Sequence, residues 1–351
     1  MRQLFFALSV ITLLCSGASA QTRTAPGAAS LADLPRQRLE REIARLAKSA
    51  GGTLGVSAIH VETGRRVSLN ASERFPMAST YKVPIAIQLL ARVDQGEIQL
   101  GQMVELKPGD IRPNGTIREL LSKPGLSLSV RNLLELMLLV GDNSAVDILM
   151  RMAGGPQAVT ARMRTLGIND LDVSRPIINV LADSVGIRLP PEREWTPELL
   201  DKLYGTTTPE SRQAAAAKWE VDLRDTSTPD AMASLLARIQ RKDLLKPESV
   251  ELLLDGMLRN QDGDTRLKAM LPAETVLAHK MGTLGRTTND VGIIKLPESA
   301  GHVAIAVFVK SSEKERPEQE RAIAQIARAV YDYFLFQQSD KMPALQDESS
   351  S

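Results

Sequence analysis

The chain is 351 residues long, with 43% hydrophobic and 24% charged residues, a globular composition with enough apolar material for a large core. Its 43 Lys and Arg nearly balance its 42 Asp and Glu, which leaves a formal charge of +1. This near-neutrality excludes binding to nucleic acid or an anionic membrane through a global positive field, so we expect a small, locally recognised ligand.

The N-terminus has the pattern of a signal peptide over residues 1–20. Arg2 precedes an apolar run from Leu4 to Leu14, and small residues follow, ending in Ala18-Ser19-Ala20. We therefore expect cleavage after Ala20 and a periplasmic or secreted mature protein. The apolar run is about half the roughly 20 residues needed to cross a bilayer, and no later segment is apolar enough, so no membrane span is predicted.

Cysteine and histidine usage argues against disulfides and metals. Cys15, the single cysteine, lies in the leader, so we expect neither a thiol nor a disulfide in the mature protein. The histidines His60, His279 and His302 lack metal-ligand spacing. We expect no metal and no cofactor.

The first elements are a helix and a hairpin. Residues 21–30 are small and polar and are interpreted as a flexible linker. Apolar residues at helical spacing predict a helix within Leu31 to Ala50, with Ser30 as a possible N-cap. Strands are predicted at Leu54 to Val61 and Arg66 to Leu69, joined as a hairpin.

The middle of the chain is mostly helical by its 3.6-residue periodicity. The clearest segments are Val83 to Val93, Val130 to Met150, Ala158 to Leu166 and Met232 to Gln240. Strands return at Val276 to Lys280, Val291 to Lys295 and Val303 to Lys310, before a helix from Arg316 to Phe336 and a polar tail over 338–351.

Strands at both ends with helices between them predict an α/β fold. We expect a mainly antiparallel sheet built from both termini and flanked by helices, with an all-helical lobe inserted. The catalytic domain would span 31–337, with an α/β lobe formed by 31–78 and 265–337 and a helical lobe formed by 79–264.

Ser79 and Lys82 are the central candidates for chemistry. They lie three residues apart at the start of a helix, and that spacing places both on one face. A serine hydroxyl needs a base to become a nucleophile, and a lysine can act as that base if burial and nearby positive charge lower its pKa. Alone, this S-x-x-K pattern is a weak signal, because a capped helix with a solvated lysine would give it too.

Further motifs strengthen the S-x-x-K signal. Gly141-Asp142-Asn143 lies in an apolar helical stretch, and Lys280-Met281-Gly282-Thr283 ends a late strand, so the order follows S-x-x-K, S-D-N and K-T-G. Arg224-Asp225-Thr226, the stretch from Asp264 to Pro272 and Thr288-Asn289-Asp290 match as well. With these motifs, nearly all of the mature chain resembles the class A β-lactamases, which share their fold with penicillin-binding proteins and D-alanyl-D-alanine peptidases.

The resemblance implies a serine acyl-enzyme mechanism on a small-molecule β-lactam. Ser79 would attack the lactam carbonyl with Lys82 beside it, and the backbone N–H groups of Ser79 and Thr283 would hold the oxyanion. Asn143 would bind the substrate's side-chain amide and Lys82. The substrate carboxylate would face the Lys280-Met281-Gly282-Thr283 strand, through Lys280 and Thr283.

The chain also departs from the family pattern. Gly141 replaces the serine that relays a proton to the leaving lactam nitrogen, so a water or Lys280 would have to serve. Met281 replaces a threonine, which we interpret as a mild change. Ile177 stands where the glutamate that activates the deacylating water would lie if Arg175 begins that loop.

The segment between Arg175 and Asp225 is much longer than the family's loop and is interrupted by prolines. Arg175 and Asp225 are expected to pair across its base, as structural residues near the site together with Asp142. Any one of five glutamates could supply the deacylating base, although each could equally be a solvated charge: Glu192, Glu194, Glu198, Glu210 and Glu220.

Four functional readings remain open from the sequence. The leading one is a monomeric β-lactamase that hydrolyses β-lactams through an acyl-enzyme at Ser79. The missing glutamate suggests instead a penicillin-binding or sensor protein that is acylated without efficient turnover. A D-alanyl-D-alanine peptidase shares the nucleophile, and a purely structural protein is the least favoured because it would retain these motifs by accident.

Overall fold

The computed structural model describes residues 33–121 and 125–337. The predicted signal peptide, the linker over 21–30, the Ser30 cap and the tail over 338–351 lie outside the described residues. The described residues from Pro35 onward form one compact unit. The division into an α/β lobe and a helical lobe therefore stays a prediction.

The described residues form 12 α-helices and 9 strands. The helices are α1 (Leu34–Ala47), α2 (Lys82–Asp94), α3 (Thr116–Leu120), α4 (Val130–Leu139), α5 (Asn143–Met152), α6 (Pro156–Thr165), α7 (Ile177–Val185), α8 (Pro197–Gly205), α9 (Pro209–Glu220), α10 (Pro229–Arg241), α11 (Pro247–Leu258) and α12 (Arg316–Phe336). The strands are β1 (Thr53–His60), β2 (Arg66–Leu69), β3 (Phe75–Pro76), β4 (Met103–Glu105), β5 (Ser127–Ser129), β6 (Thr226–Ser227), β7 (Leu277–Leu284), β8 (Thr287–Lys295) and β9 (His302–Lys310).

The main sheet joins the two ends of the chain. Its order is β2-β1-β9-β8-β7, and every neighbouring pair is antiparallel. The central register pairs Val56 with Val307 and Val291 with Ala306. This confirms the predicted antiparallel sheet built from both termini and flanked by helices.

Both faces of the sheet are covered, and alternate residues of β9 separate the two cores. Ala304, Ala306 and Phe308 belong to the larger core, which also contains apolar residues of α2, α4, α5, α10 and α11. Ile305 and Val307 belong to a second core that includes residues of α1 and α12. Because both faces of β9 are buried, its sequence is nearly continuously apolar.

One predicted helix is divided in the structure. The apolar periodicity from Val130 to Met150 spans two helices, α4 and α5, which are separated at Gly141 and Asp142. Gly141 has φ of +69°, which disrupts a right-handed helix, and the Asp142 carboxylate caps α5 by accepting a 2.9 Å bond from Ala145 N. The Asp142 carboxylate also accepts a 2.7 Å bond from Ile117 N, which ties α3 to this break.

The long segment between Arg175 and Asp225 is largely helical rather than a loop. It contains α7, α8 and α9. Pro197 and Pro209 lie at the first positions of α8 and α9, where a missing N–H costs nothing, and Pro190-Pro191 lie between α7 and α8. None of the helices among residues 33–121 and 125–337 is both long and apolar enough to cross a membrane.

Candidate active site

Ser79 lies in a 3-10 turn, Ala78–Tyr81, that leads into α2. The end of β7 packs against this turn so closely that a Cβ on Gly282 would lie 2.9 Å from Ser79 N and 2.8 Å from Met77 O. Asn289 holds the turn from the next strand, donating from Nδ2 to Met77 O at 3.0 Å. The structure thus gives Gly282 a role in close packing, and it leaves Ser79 half-buried at the edge of a cavity.

Lys82 is buried at the first position of α2, and its side chain is 1% exposed. Its amine donates a 2.6 Å hydrogen bond to Gly141 O and a 3.3 Å bond to Asn143 Oδ1. Burial, helped by the positive charge of Lys280, lowers the pKa of Lys82 to about 7, against the opposing effect of three aspartates, Asp142, Asp262 and Asp147. A substantial fraction of the amine is therefore neutral at neutral pH.

Ser79 and Lys82 line the same cavity, but the hydrogen bonds of the amine run to the opposite wall. Among the described residues, no hydrogen bond joins the Ser79 hydroxyl to Lys82. A neutral amine that donates two hydrogen bonds still has its lone pair, so Lys82 can accept a proton on its remaining side.

Gly141, Asp142 and Asn143 form that wall. Asn143 is 7% exposed and donates from Nδ2 to Pro113 O at 3.0 Å, which directs its amide oxygen toward Lys82. Asp142 is a helix cap away from the cavity lining, so its contribution is structural. A Cβ on Gly141 would point between the two amines, 3.4 Å from Lys82 Nζ and 3.8 Å from Lys280 Nζ.

Lys280 lies on β7, and its side chain is 1% exposed. Its amine donates a 3.5 Å hydrogen bond to Asn260 Oδ1. Burial lowers the pKa of Lys280, and the charges of Asp262 and Asp290 oppose that effect. The preceding residue, His279, is buried with Nδ1 3.0 Å from Asp290 Oδ1.

Thr283 contacts a buried arginine to which the sequence assigned no role. The Nη2 group of Arg266 donates to Thr283 Oγ1 at 2.6 Å, and Nη1 donates to Gly282 O at 3.1 Å. Arg266 is 3% exposed and also pairs with Glu320 at 3.1 Å. Arg266 belongs to the stretch from Asp264 to Pro272 that matches the family, which was the one sequence feature that pointed to it. Its position beside β7 depends on the fold.

Arg175 and Asp225 form the expected ion pair outside the cavity. Arg175 Nε donates to Asp225 Oδ2 at 2.6 Å, and Asp225 Oδ1 accepts a 2.7 Å bond from Ser174 N. Arg175 also lies 3.1 Å from Asp222, and its guanidinium carbon lies over Trp219 at 5.5 Å from the ring centroid. This pair closes the base of the segment that contains α7, α8 and α9.

The five glutamates expected to compete as the deacylating base lie elsewhere. In the described ranges the residues that line the Ser79 cavity include none of them. Glu220 instead pairs with Arg286 at 2.5 Å, and Glu198 and Glu210 lie in the first turns of α8 and α9. Glu192 and Glu194 lie in a 3-10 turn between α7 and α8.

The cavity face opposite β7 is apolar where a base was expected. Ile177, Val180 and Leu181 of α7 line it, and Ile177 N donates to Asp147 Oδ1 at 2.7 Å. The carboxylates that do line the cavity are Glu119, which is exposed, and Asp262, which is half-buried. The sequence motifs predict a role for neither carboxylate.

No cluster of three metal-binding side chains occurs within residues 33–121 and 125–337. His60 and His279 are buried on strands, and His302 begins β9 beside Glu62. The site therefore offers a hydroxyl, two buried amines of lowered pKa and a buried guanidinium, which suit attack on a carbonyl carbon and binding of an anionic group.

The family model that matches the chain is that of the Beta-lactamase enzyme family, over residues 38–334. Among curated relatives, the extended-spectrum beta-lactamase PER-1 of Pseudomonas aeruginosa is 28% identical, and the match covers 85% of this chain and 87% of the relative. Beta-lactamase VEB-1 of the same organism is 26% identical, with 85% and 90% covered.

Solved structures agree with this assignment. A class A beta-lactamase of the last common ancestor of Gram-negative bacteria is 32% identical, with a TM-score of 0.68 over 84% of this chain and 99% of that chain. A beta-lactamase from Chitinophaga pinensis is 29% identical, with a TM-score of 0.69 over 84% of this chain and 98% of that chain.

Proposed function

The chain belongs to the beta-lactamase enzyme family, a family of serine hydrolases, and we propose that it hydrolyses β-lactams through an acyl-enzyme on Ser79. The observation that carries this proposal is the buried Lys82 amine one helical turn after Ser79, with its pKa lowered to about 7. At neutral pH such an amine can take the serine proton, which a solvated lysine cannot do efficiently.

The remaining residue roles of this proposal are those that the family resemblance implies. Ser79 Oγ attacks the lactam carbonyl carbon while Lys82 accepts its proton, and the N–H groups of Ser79 and Thr283 stabilise the oxyanion. Asn143 positions Lys82 and binds the amide of the substrate side chain. Because a β-lactam of this class carries a carboxylate, Lys280 and Thr283 bind that group.

Arg266 extends this anion-binding end of the cavity. Its guanidinium already donates to Thr283 Oγ1, so it orients the hydroxyl and adds positive charge beside it. The relatives PER-1 and VEB-1, both named as beta-lactamases, support a β-lactam as the substrate class.

A second candidate function is an enzyme that is acylated but turns over slowly. The specific observation in its favour is the apolar α7 face, where Ile177 lines the cavity at the position expected for a glutamate. Without a carboxylate to activate water on that side, the acyl-enzyme would persist. Acylation of Ser79 with Lys82 as the base would be unaffected, since the two steps use different bases.

The leader pattern supports export, with cleavage after Ala20 and a periplasmic or secreted monomer as the mature form. A catalytic domain spanning 31–337 is part of the same proposal.

Intact-protein mass spectrometry after brief mixing with a penicillin tests the proposal. We expect an adduct with the mass of the whole penicillin, absent in Ser79→Ala and unchanged in Ser144→Ala, a buried serine away from the cavity lining. Decay of the adduct with matching product formation indicates hydrolysis, and a persistent adduct indicates the slow-turnover function. Equal labelling of Ser79→Ala, or no labelling of the wild type, would overturn the acyl-enzyme.

A further inference from the structure

The space beside Gly141 is surrounded by three charged side chains. From the position that a Cβ on Gly141 would occupy, Lys82 Nζ is 3.4 Å away, Lys280 Nζ 3.8 Å and Asp262 Oδ2 3.9 Å. Two amines and a carboxylate therefore converge on a point in the cavity wall where the chain has no side chain. The glycine leaves the space between them open.

Asp262 has no competing partner in this position. Its carboxylate forms neither a hydrogen bond nor an ion pair with the residues that the structure describes, although its side chain is only half-exposed and lines the Ser79 cavity. Its main chain is fixed, because Asn260 Nδ2 donates to Asp262 O at 2.7 Å while Asn260 Oδ1 accepts from Lys280. One asparagine thus links the Asp262 segment to Lys280.

The charge of Asp262 acts on both amines. It raises the pKa of Lys82 and is the largest of the charges that raise the pKa of Lys280. The other charges that act on Lys82 are those of Lys280, Asp142 and Asp147, and those on Lys280 are Asp290 and Arg266. Of these, Asp262 is the carboxylate that lines the cavity and faces both amines across the open space.

We propose that Asp262 is a positioning carboxylate that guides the proton from Lys82 to Lys280 during acylation, in place of the hydroxyl that Gly141 lacks. This inference rests on the proposed function. It adds a residue to the machinery that neither the motifs nor the family pattern identified.

The proton balance of the step is complete with these groups. As Ser79 Oγ bonds to the carbonyl carbon, its proton passes to the neutral Lys82 amine. The C–N bond of the ring breaks, its electron pair goes to the nitrogen, and that nitrogen takes a proton from the Lys280 ammonium. The Lys82 ammonium then returns a proton to Lys280, while the ionised Asp262 stabilises the positive charge on both amines.

The test is the pH profile of acylation in Asp262→Asn, measured by stopped flow with a chromogenic cephalosporin. We expect the plateau rate to fall about tenfold, the equivalent of one pKa unit. Both limbs of the profile, the rise and the fall of the acylation rate with pH, should move to lower pH. Loss of the carboxylate lowers the pKa of Lys82, which must be neutral, and the pKa of Lys280, which must be protonated. A merely structural role would lower the rate without moving the limbs.

Asp264→Asn is the matched control, since Asp264 is two residues away, 69% exposed and paired with Lys268 at 3.1 Å. Asp262→Glu should retain the wild-type limbs, and Gly141→Ser should reduce the effect of Asp262→Asn by supplying a hydroxyl to the same space. If Asp262→Asn follows the wild type and Asp264→Asn at every pH, Asp262 has no such role. Failure of the proposed function would appear differently, as a wild type that forms no Ser79 adduct.

Discussion

Lys82 donates a 2.6 Å hydrogen bond to the carbonyl oxygen of Gly141, the residue whose side chain is missing from the cavity wall. This contact and the 3.3 Å bond to Asn143 Oδ1 use two N–H groups of the amine. A neutral amine has two N–H groups and one lone pair, so the arrangement leaves the lone pair for the proton of Ser79. Backbone geometry at Gly141 thus prepares Lys82 as a base.

Acylation should therefore increase with pH through a midpoint near 7. Lys82 must be neutral to accept a proton, and its pKa is lowered to about 7, so the neutral fraction rises across that value. The rate of adduct formation, measured between pH 5 and pH 9, is the readout. Lys280→Ala should move the midpoint to higher pH because it removes the positive charge that lowers the pKa of Lys82, and an unmoved midpoint would contradict the assignment of the base.

Gly141→Ser should accelerate acylation relative to Gly141→Ala. Both substitutions place a Cβ at φ of +69° and so share a strain cost of roughly 1–2 kcal/mol, measurable by urea denaturation. Only the serine adds a hydroxyl between Lys82 and Lys280. Proton relay by a positioned group typically contributes about 100-fold or more, so we expect a ratio of that order between the two variants. Equal rates would mean that the chain does not need a group in this space.

The sequence predicted the strands of the sheet and the proximity of Ser79 and Lys82 because both depend on short-range patterns. The apolar run of β9 and the S-x-x-K spacing at Ser79 each span fewer than ten consecutive residues. The match between predicted and observed bounds is exact for the final helix, Arg316–Phe336. Local periodicity is sufficient for such elements.

Long-range packing determines the features that the sequence did not predict. The break between α4 and α5 depends on Asp142 capping one helix and binding α3 at the same time. Asp262 reaches the cavity, and Arg266 reaches Thr283, only because their segment passes beside β7, and no local sequence pattern predicts that approach. The glutamates between Arg175 and Asp225 have a suitable side chain, but none of them lines the Ser79 cavity in the described ranges.

Ile177→Glu should accelerate decay of the acyl-enzyme. Ile177 lines the cavity and is 4% exposed, so a glutamate there would place a carboxylate beside Ser79. A general base in that position could raise the decay rate by about 100-fold. Burying the carboxyl group should also cost about 1–3 kcal/mol of stability.

Ile177→Gln is the matched control, because it has the same shape and polarity but cannot accept the proton of water as a base. Adduct lifetime by mass spectrometry distinguishes the two variants. If glutamate and glutamine give equal lifetimes, the α7 face does not adjoin the path of the deacylating water, and the slow-turnover argument loses its structural basis.

The buried pair of Arg112 and Asp147 should dominate the stability of the α7 side of the cavity. Their side chains are 1% and 2% exposed, and Arg112 Nε donates to Asp147 Oδ2 at 2.6 Å. Asp147 also accepts from Ile177 N, so the pair connects the cavity wall to the core. Removing one partner of a buried ion pair leaves an uncompensated charge, and Arg112→Met should cost about 3–5 kcal/mol in the free energy of unfolding.

The pH dependence of the stability lost in Arg112→Met identifies the cause of the loss. Burial raises the pKa of Asp147 while Arg112 opposes the rise, so without Arg112 the pKa of Asp147 should rise further. A carboxyl whose folded-state pKa is raised destabilises the protein as pH increases through that value, so the loss should be smaller at pH 5.5 than at pH 7.5. Urea denaturation at both pH values measures it, with Arg328→Met in the exposed Arg328–Asp332 pair as the control at about 0.3–0.5 kcal/mol. A loss equal to that control, or one independent of pH, would show that Arg112 does not compensate the buried charge of Asp147.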